Sequence, residues 1–302
     1  MYNGIMNVYK EAGFTSHDVV AKLRGICKQK KIGHTGTLDP DAVGVLPVCF
    51  GSGTKLCDML TDWDKEYIAT LRLGVATDTQ DLSGQVLFQA EEETLSALTR
   101  ERVQESILGF LGDYDQIPPM YSALKVNGKK LYELARAGKE VERKPRRVQI
   151  RELEILEMNL PTVRFRVVCS KGTYIRTLCH DIGERLGCGG AMETLTRSRV
   201  GIFALEEALR LSEIEKLRDE DKISDMIVPP DAVFGACREV KVTPEARRLL
   251  ENGNKIPLRM LTGLDLPQAK ERLRMYDGEG RFYGIYEYHA GAKEARPVKM
   301  FL

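Results

Sequence analysis

Four side chains have the types and settings that reactive groups need: Asp39, Tyr67, Arg176 and His34. Asp39 lies in Gly33-His34-Thr35-Gly36-Thr37-Leu38-Asp39-Pro40. A residue before proline is held away from the helical region, and glycines let the surrounding backbone come close to a ligand. Such a loop can present a carboxylate as a nucleophile or as a base, and either role needs it ionised. An isolated Asp-Pro is more often an ordinary turn bonded to its own backbone, so Asp39 needs company to carry weight. Arg176 stands in the first turn of the helix expected after Gly172. The helix dipole disfavours a cation there, which points to an anion elsewhere in the fold. Taken singly, Arg176 is a snorkelling surface arginine, Tyr67 a core aromatic and His34 a loop histidine.

The elements that must hold these groups can be read from periodicity. Apolar positions at Val19, Val20, Leu23 and Ile26 or Cys27 make a helical stripe over about 15–28, with Ser16 or Asp18 as its N-cap. Glycines at 33, 36, 44, 51 and 53, with Pro40 and Pro47, predict one shaped loop over 33–53. Tyr67, Ala69, Leu71 and Leu73 alternate with Ile68, Thr70 and Arg72, a half-buried strand that ends at Gly74. The run from Thr77 to Gly84 is rich in turn-forming side chains. A helix is expected over 101–110 with Val103, Ile107 and Leu108 or Phe110 inward, and extended chain over Ile117-Pro118-Pro119-Met120. Val163, Phe165, Val167 and Cys169 share one face of a strand; Gly172 breaks it. Thr173 then caps a helix that carries Ile175, Leu178, Ile182 and Leu186 on one side.

Strands and helices alternate without a βαβ period, which predicts an α+β fold around a mostly antiparallel, mixed central sheet flanked by helices. Pro229-Pro230 marks a change of texture, and short strand-like runs follow, notably 281–288 after the turn signals of 277–280. Two units are expected, 1–232 and a small β-rich piece at 237–302.

Several function classes drop out. No run of about 18 apolar residues marks a membrane span, and the first residues lack the pattern of a signal peptide, so a cytoplasmic protein is expected. Seven cysteines without a C-x-x-C spacing support neither a zinc site nor a disulfide framework. No Cys/His cluster suggests a metal and no G-x-G-x-x-G suggests a nucleotide cofactor. Gly51-Ser52-Gly53-Thr54-Lys55 lacks phosphate-loop spacing, and no G-x-S-x-G elbow is present. The net charge is only +1, but the stretch from Lys125 to Arg147 holds nine basic residues against three acids. That +6 segment, on a remainder of −5, is an electrostatic footprint for a polyanion.

The motifs taken together resemble one family. The Asp39 loop followed by Gly44-Val45-Leu46-Pro47 is similar to the catalytic motif of the TruB family, the bacterial tRNA pseudouridine-55 synthases. The resemblance extends to Lys10-Glu11-Ala12-Gly13-Phe14-Thr15-Ser16, to Arg72-Leu73-Gly74 with Thr77-Asp78-Thr79, to Met120-Tyr121-Ser122-Ala123-Leu124-Lys125 and to the run from Cys169 to Leu178. These motifs stand in the family's order over roughly residues 4 to 200. Glu11 departs from the pattern, since the family has proline there, and the change bears on loop rigidity rather than chemistry.

The resemblance implies a pseudouridine-synthase fold with a C-terminal barrel-like PUA domain that binds RNA, no cofactor, and tRNA as the substrate of a monomer. It implies that Asp39 is the essential carboxylate, that Arg176 pairs with it, and that Tyr67 stacks on the base and helps to remove its carbon-5 proton. A phenol, with an ordinary pKa near 10, needs help from the site for that step. His34 would fill the place that the flipped uridine vacates. Tyr174 and Leu195 would line the pocket, and Lys10 is grouped with the substrate-binding residues. Lys125, Lys129, Lys130, Arg146 and Arg147 would grip RNA from an insertion at about 120–147, free to order on binding. Two other readings are a synthase for another RNA, or one guided by partner proteins, and a non-catalytic tRNA-folding factor that would not need Asp39.

Overall fold

The computed structural model describes residues 1–301 apart from 127 and 264; residue 302, the end of the expected second unit, lies outside them. The fold is α+β. Its main sheet has nine strands, and its principal path runs Gly4–Lys10, Val43–Phe50, Gly190–Val200, Lys65–Leu73, Thr162–Cys169, Arg146–Asn159, Gly112–Gln116. Every pairing along it is antiparallel except that of Val43–Phe50 with Gly190–Val200. Helices Ile175–Leu186 and Arg100–Leu108 cover one face, and Ser16–Ile26 with Leu211–Asp219 packs at the other end.

Periodicity decides these elements as expected. Lys65–Leu73 buries every second residue, and its partner Thr162–Cys169 turns Val163, Phe165, Val167 and Cys169 into the same core. Helix Ile175–Leu186 buries Ile175, Leu178, Ile182 and Leu186 against them; truncating Leu178 to alanine would cost about 2–5 kcal/mol. In Arg100–Leu108 it is Val103, Ser106 and Ile107 that turn inward, while Leu108 is exposed and Phe110 packs at the core's edge.

Three local expectations are corrected. The N-cap of the first helix is Thr15, not Ser16 or Asp18: its hydroxyl accepts from the Asp18 amide at 3.1 Å, and the Asp18 carboxylate accepts from the Thr15 amide at 2.8 Å. Thr173 is not a cap either; the N-cap residue is Tyr174, and the Thr173 hydroxyl donates to the Ser170 carbonyl instead. The stretch 33–53 is not one loop. Only 35–42 is loop; Ile32–His34 and Val43–Phe50 are strands, and Gly51–Leu56 is a 3-10 helix. Val43–Phe50 is buried on both faces, so it has no alternation to betray it. Its Gly44 answers to close approach: at φ +109°, a Cβ there would lie 2.2 Å from the Arg197 carbonyl oxygen.

After Ala204 the chain leaves this sheet through short helices and enters a second one of six strands, ordered Ile256–Pro257, Glu294–Met300, Phe282–His289, Arg272–Tyr276, Arg238–Val242, Leu261–Thr262. It is a near-closed, barrel-like sheet around Val240, Leu273, Met275, Tyr283, Tyr286 and Tyr288. Ile285 and Phe282 pack instead with Ile5, Val45 and Val233, which seats the small sheet against the large one. The turn before Phe282–His289 is built by Asp277, whose carboxylate accepts from the Glu279 and Arg281 amides. Among the described residues no helix is long and apolar enough to cross a membrane.

Candidate active site

The loop 35–42 is fastened on both sides of its aspartate. Ahead of it, the Leu38 amide donates to the buried Ser16 hydroxyl at 2.9 Å. Behind it, the Pro40 carbonyl accepts from the Lys10 ammonium at 2.8 Å and from the Gly13 amide at 3.1 Å. Lys10 has 0% of its surface exposed, and burial pulls its pKa down to about 8, opposed by Asp41 and Asp39. Its side chain therefore acts on the loop and not at the surface. Asp39 itself, between these anchors, keeps 40% of its side chain exposed.

Arg176 reaches the same point from the far side of the fold. Its guanidinium meets Asp39 as a fork, Nε to Oδ2 at 2.9 Å and Nη2 to Oδ1 at 3.1 Å. The remaining donors go to the carbonyls of Thr79 and Tyr121, both at 2.9 Å, and Asp81 lies 3.8 Å away. With 5% exposure and this many partners, Arg176 has one position open to it. The turn 77–84 does what its composition predicts: Asp81 accepts from Thr79 and Ser83, and in doing so it aims the Thr79 carbonyl at the arginine. Asp81 and Tyr121 were not singled out from sequence, because nothing local distinguishes them from other turn residues.

Tyr67 lies on the adjacent strand, buried. Burial raises its pKa above 10, and the charge of the Arg197 guanidinium opposes that rise. At neutral pH Tyr67 is thus a phenol. Leu195, on Gly190–Val200 opposite Ala69, is buried in the same cluster as Tyr67 and Leu38. Tyr174 is half-buried, held by reciprocal bonds between its backbone and the Gln116 side chain at 2.8 and 2.9 Å. His34, on Ile32–His34, sits edge-on to His17 with ring centroids 5.2 Å apart. Burial, then His17 and Arg197, push its pKa down to about 4, so the ring is neutral at pH 7.

The basic segment is another environment. Lys125–Val126 and Lys129–Lys130 form a two-stranded ladder, followed by the helix Leu131–Arg136. Lys125, Lys129, Arg146 and Arg147 are exposed and Lys130 partly so. Arg146 and Arg147 begin a long strand of the main sheet, where Arg147 pairs with Asp115 at 3.1 Å. Tyr121, at the root of this segment, is the residue whose carbonyl holds Arg176. The seven cysteines are free thiols. Asp39, Arg176, Tyr67, Leu195 and Tyr174 are thus brought close to one another, with His34 on the strand before the Asp39 loop and the basic segment apart from them.

Comparison with known proteins gives the chain's relatives. Residues 24–175 match the TruB family pseudouridylate synthase (N terminal domain), and 176–234 match the tRNA pseudouridylate synthase B C-terminal domain. The tRNA pseudouridine synthase B of Lachnoclostridium phytofermentans is 54% identical over 99% of this chain and 100% of its own length. That of Clostridioides difficile is 39% identical over the same shares. Among solved structures, a Cbf5-Nop10-Gar1 complex matches with a TM-score of 0.75 at 25% identity, over 99% of this chain and 85% of that one. An H/ACA RNP bound to a substrate RNA containing 2'-deoxyuridine matches with a TM-score of 0.72 at 22% identity, over 99% and 85%.

Proposed function

The chain belongs to the TruB family of pseudouridylate synthases, enzymes that isomerise uridine in tRNA, and we propose that it converts uridine 55 of the TΨC loop, acting alone, with Asp39 as the essential carboxylate. The observation that carries this reading is the forked Asp39–Arg176 pair, in which a buried arginine orients a part-exposed carboxylate. The uridine leaves its RNA loop to enter, at a cost of a few kcal/mol that stacking on Tyr67 and edge contacts recover. The bond between C1′ and N1 breaks, the base turns, C1′ joins C5, the C5 proton is lost to solvent and N1 takes up a proton in its place. Asp39 serves as nucleophile or as base toward the ribose, and the fork orients it for either. The neutral ring of His34 suits the space that the base vacates, since it enters a stack without a charge to desolvate. Lys125, Lys129, Lys130 and Arg146 contact phosphates; residues 1–232 carry the chemistry, and 237–302, with thirteen basic and nine acidic residues, adds an RNA contact.

Unmodified tRNA carrying tritium at carbon 5 of uridine tests it. The wild-type protein releases tritium to water without added cofactor, and Asp39→Asn slows release by about 10⁴-fold or more, as expected for a group that reacts. Release by Asp39→Asn at the wild-type rate would remove Asp39 from the chemistry. An inactive wild type that still binds tRNA would favour the folding-factor reading.

A further inference from the structure

Arg197 is the largest side chain of the fully buried set, with 1% of its surface exposed. Unlike Arg176, it has no carboxylate within 4.0 Å among the described residues. A buried charge without a counter-ion is costly, and an apolar side chain of similar size would pack there without that cost. Stability alone gives no reason for a guanidinium at this position.

Its contacts supply one. Nε donates to the Val45 carbonyl at 2.7 Å and Nη2 to the Gly36 carbonyl at 3.2 Å. Gly36 precedes Asp39 and Val45 follows it, so one planar group spans both ends of the reactive loop. Arg197 and Tyr67 are Cα partners across the sheet, and the ladder bulges between Arg197 and Arg199. Cα partners on antiparallel strands turn their side chains to the same face, so the guanidinium shares a face of the sheet with the Tyr67 ring. The Arg197 backbone is fixed from its other side by the parallel contact with Gly44, whose missing side chain permits the approach.

We propose that Arg197 is a positioning residue of the isomerisation: a buried cation that ties both ends of the Asp39 loop and keeps that loop in register with the Tyr67 phenol. This rests on the reading of Asp39 and Tyr67 given above. The charge also reaches Lys10, Lys65 and His34, each of which it pushes toward the neutral form, whereas it draws the phenol toward the phenolate. Groups facing the phenol are Arg197, Asp39 and Cys169, and those facing Arg197 are Lys10, His34 and Lys65.

Single-turnover rates on unmodified tRNA, read beside KM, test the proposal. Arg197→Gln, which cannot span Gly36 and Val45 as the planar cation does, lowers the rate about 10²-fold, the scale of a misplaced reacting group, with KM for tRNA unchanged. Arg197→Lys keeps the charge but cannot reach both carbonyls, and it leaves a rate deficit of about tenfold. In a Tyr67→Phe background Arg197→Gln adds less than about threefold, because coupled residues are non-additive. A rise in KM that accounts for the loss, or an undiminished effect of Arg197→Gln on Tyr67→Phe, would overturn the proposal. If neither Arg197 variant folds, a wild-type rate in Tyr67→Phe alone would do so, since no phenol would then need positioning. Failure of Asp39→Asn to abolish release would instead strike the underlying reading.

Discussion

The loop that carries Asp39 and the segment that carries Lys125 to Arg147 are built in opposite ways. Leu38 and Pro40 are tied to Ser16, Lys10 and Gly13, and Arg176 closes the site from a helix 137 residues away in sequence. Lys10, Ser16 and Arg176 are all buried. The segment 125–147, by contrast, has two two-residue strands, a short helix that buries Leu131 alone, and cations that face water. Bond rearrangement tolerates little misplacement, so its groups stand on over-determined backbone. Phosphate binding tolerates much, because counterion release rewards a cation at many positions. The Tyr121 carbonyl, bonded to Arg176, joins the two regions. RNA that orders the segment would thereby bear on the reactive pair.

This contrast can be broken at several points. The largest effect is expected from Arg176→Lys, which keeps the charge but gives up the fork and two carbonyl bonds. A reacting carboxylate displaced by about 1 Å loses about 10²-fold in rate, so kcat should fall roughly 10²-fold or more with KM little changed. A rise in KM with kcat intact would mean that Arg176 only binds RNA.

His34 tests whether the reactive side is as dry as its burial implies. An imidazole unfolds to a pKa near 6.5 and in the fold stands at about 4. The unfolded chain therefore binds the proton first, and stability present above pH 6.5 is lost as pH falls toward 4. Between pH 7 and pH 5 that loss is about 2 kcal/mol by urea denaturation. His34→Leu should remove this share of the acid sensitivity. Equal acid sensitivity in the variant and wild type would show that the ring is wetter than its surroundings indicate.

The smallest effect belongs to the exposed side. Lys129→Ala with Lys130→Ala should raise KM for tRNA about tenfold and reduce the salt slope by about one for each phosphate left without its lysine. Arg147→Ala should change less, because Arg147 is already paired with Asp115. A drop in kcat in Lys129→Ala/Lys130→Ala at saturating tRNA would contradict the separation of grip from chemistry and would point to the Tyr121 carbonyl as the link.

Legibility followed the same division. Where one face meets the core and the other meets polar surroundings, as along 67–73 and 163–169, the alternation in the sequence located the strand. Val43–Phe50 is buried on both sides, and its glycines and proline read as loop. The cap at Thr15 differs from the expected Ser16 or Asp18 because all three side chains can cap and only geometry selects the one that bonds, and the cap at Tyr174 bonds through no side chain, so no residue type marks it. The hairpin of Val75–Thr77 with Val86–Gln89 left no apolar alternation, since the second strand is exposed throughout.

The sequence by itself determined the candidate groups: a carboxylate before proline, a tyrosine on a core strand, an arginine at a helix start and a basic segment suited to a polyanion. Local types and short periods are written in the chain. Only the tertiary structure decided that Lys10 is a buried clamp, that Asp81 and Tyr121 back Arg176, and that Arg197 spans the Asp39 loop beside Tyr67. Each of those contacts joins residues far apart in the chain or on different strands. They depend on the order and register of the sheet, in particular on the parallel pairing of Val43–Phe50 with Gly190–Val200 and the bulge beside it, which no local pattern encodes.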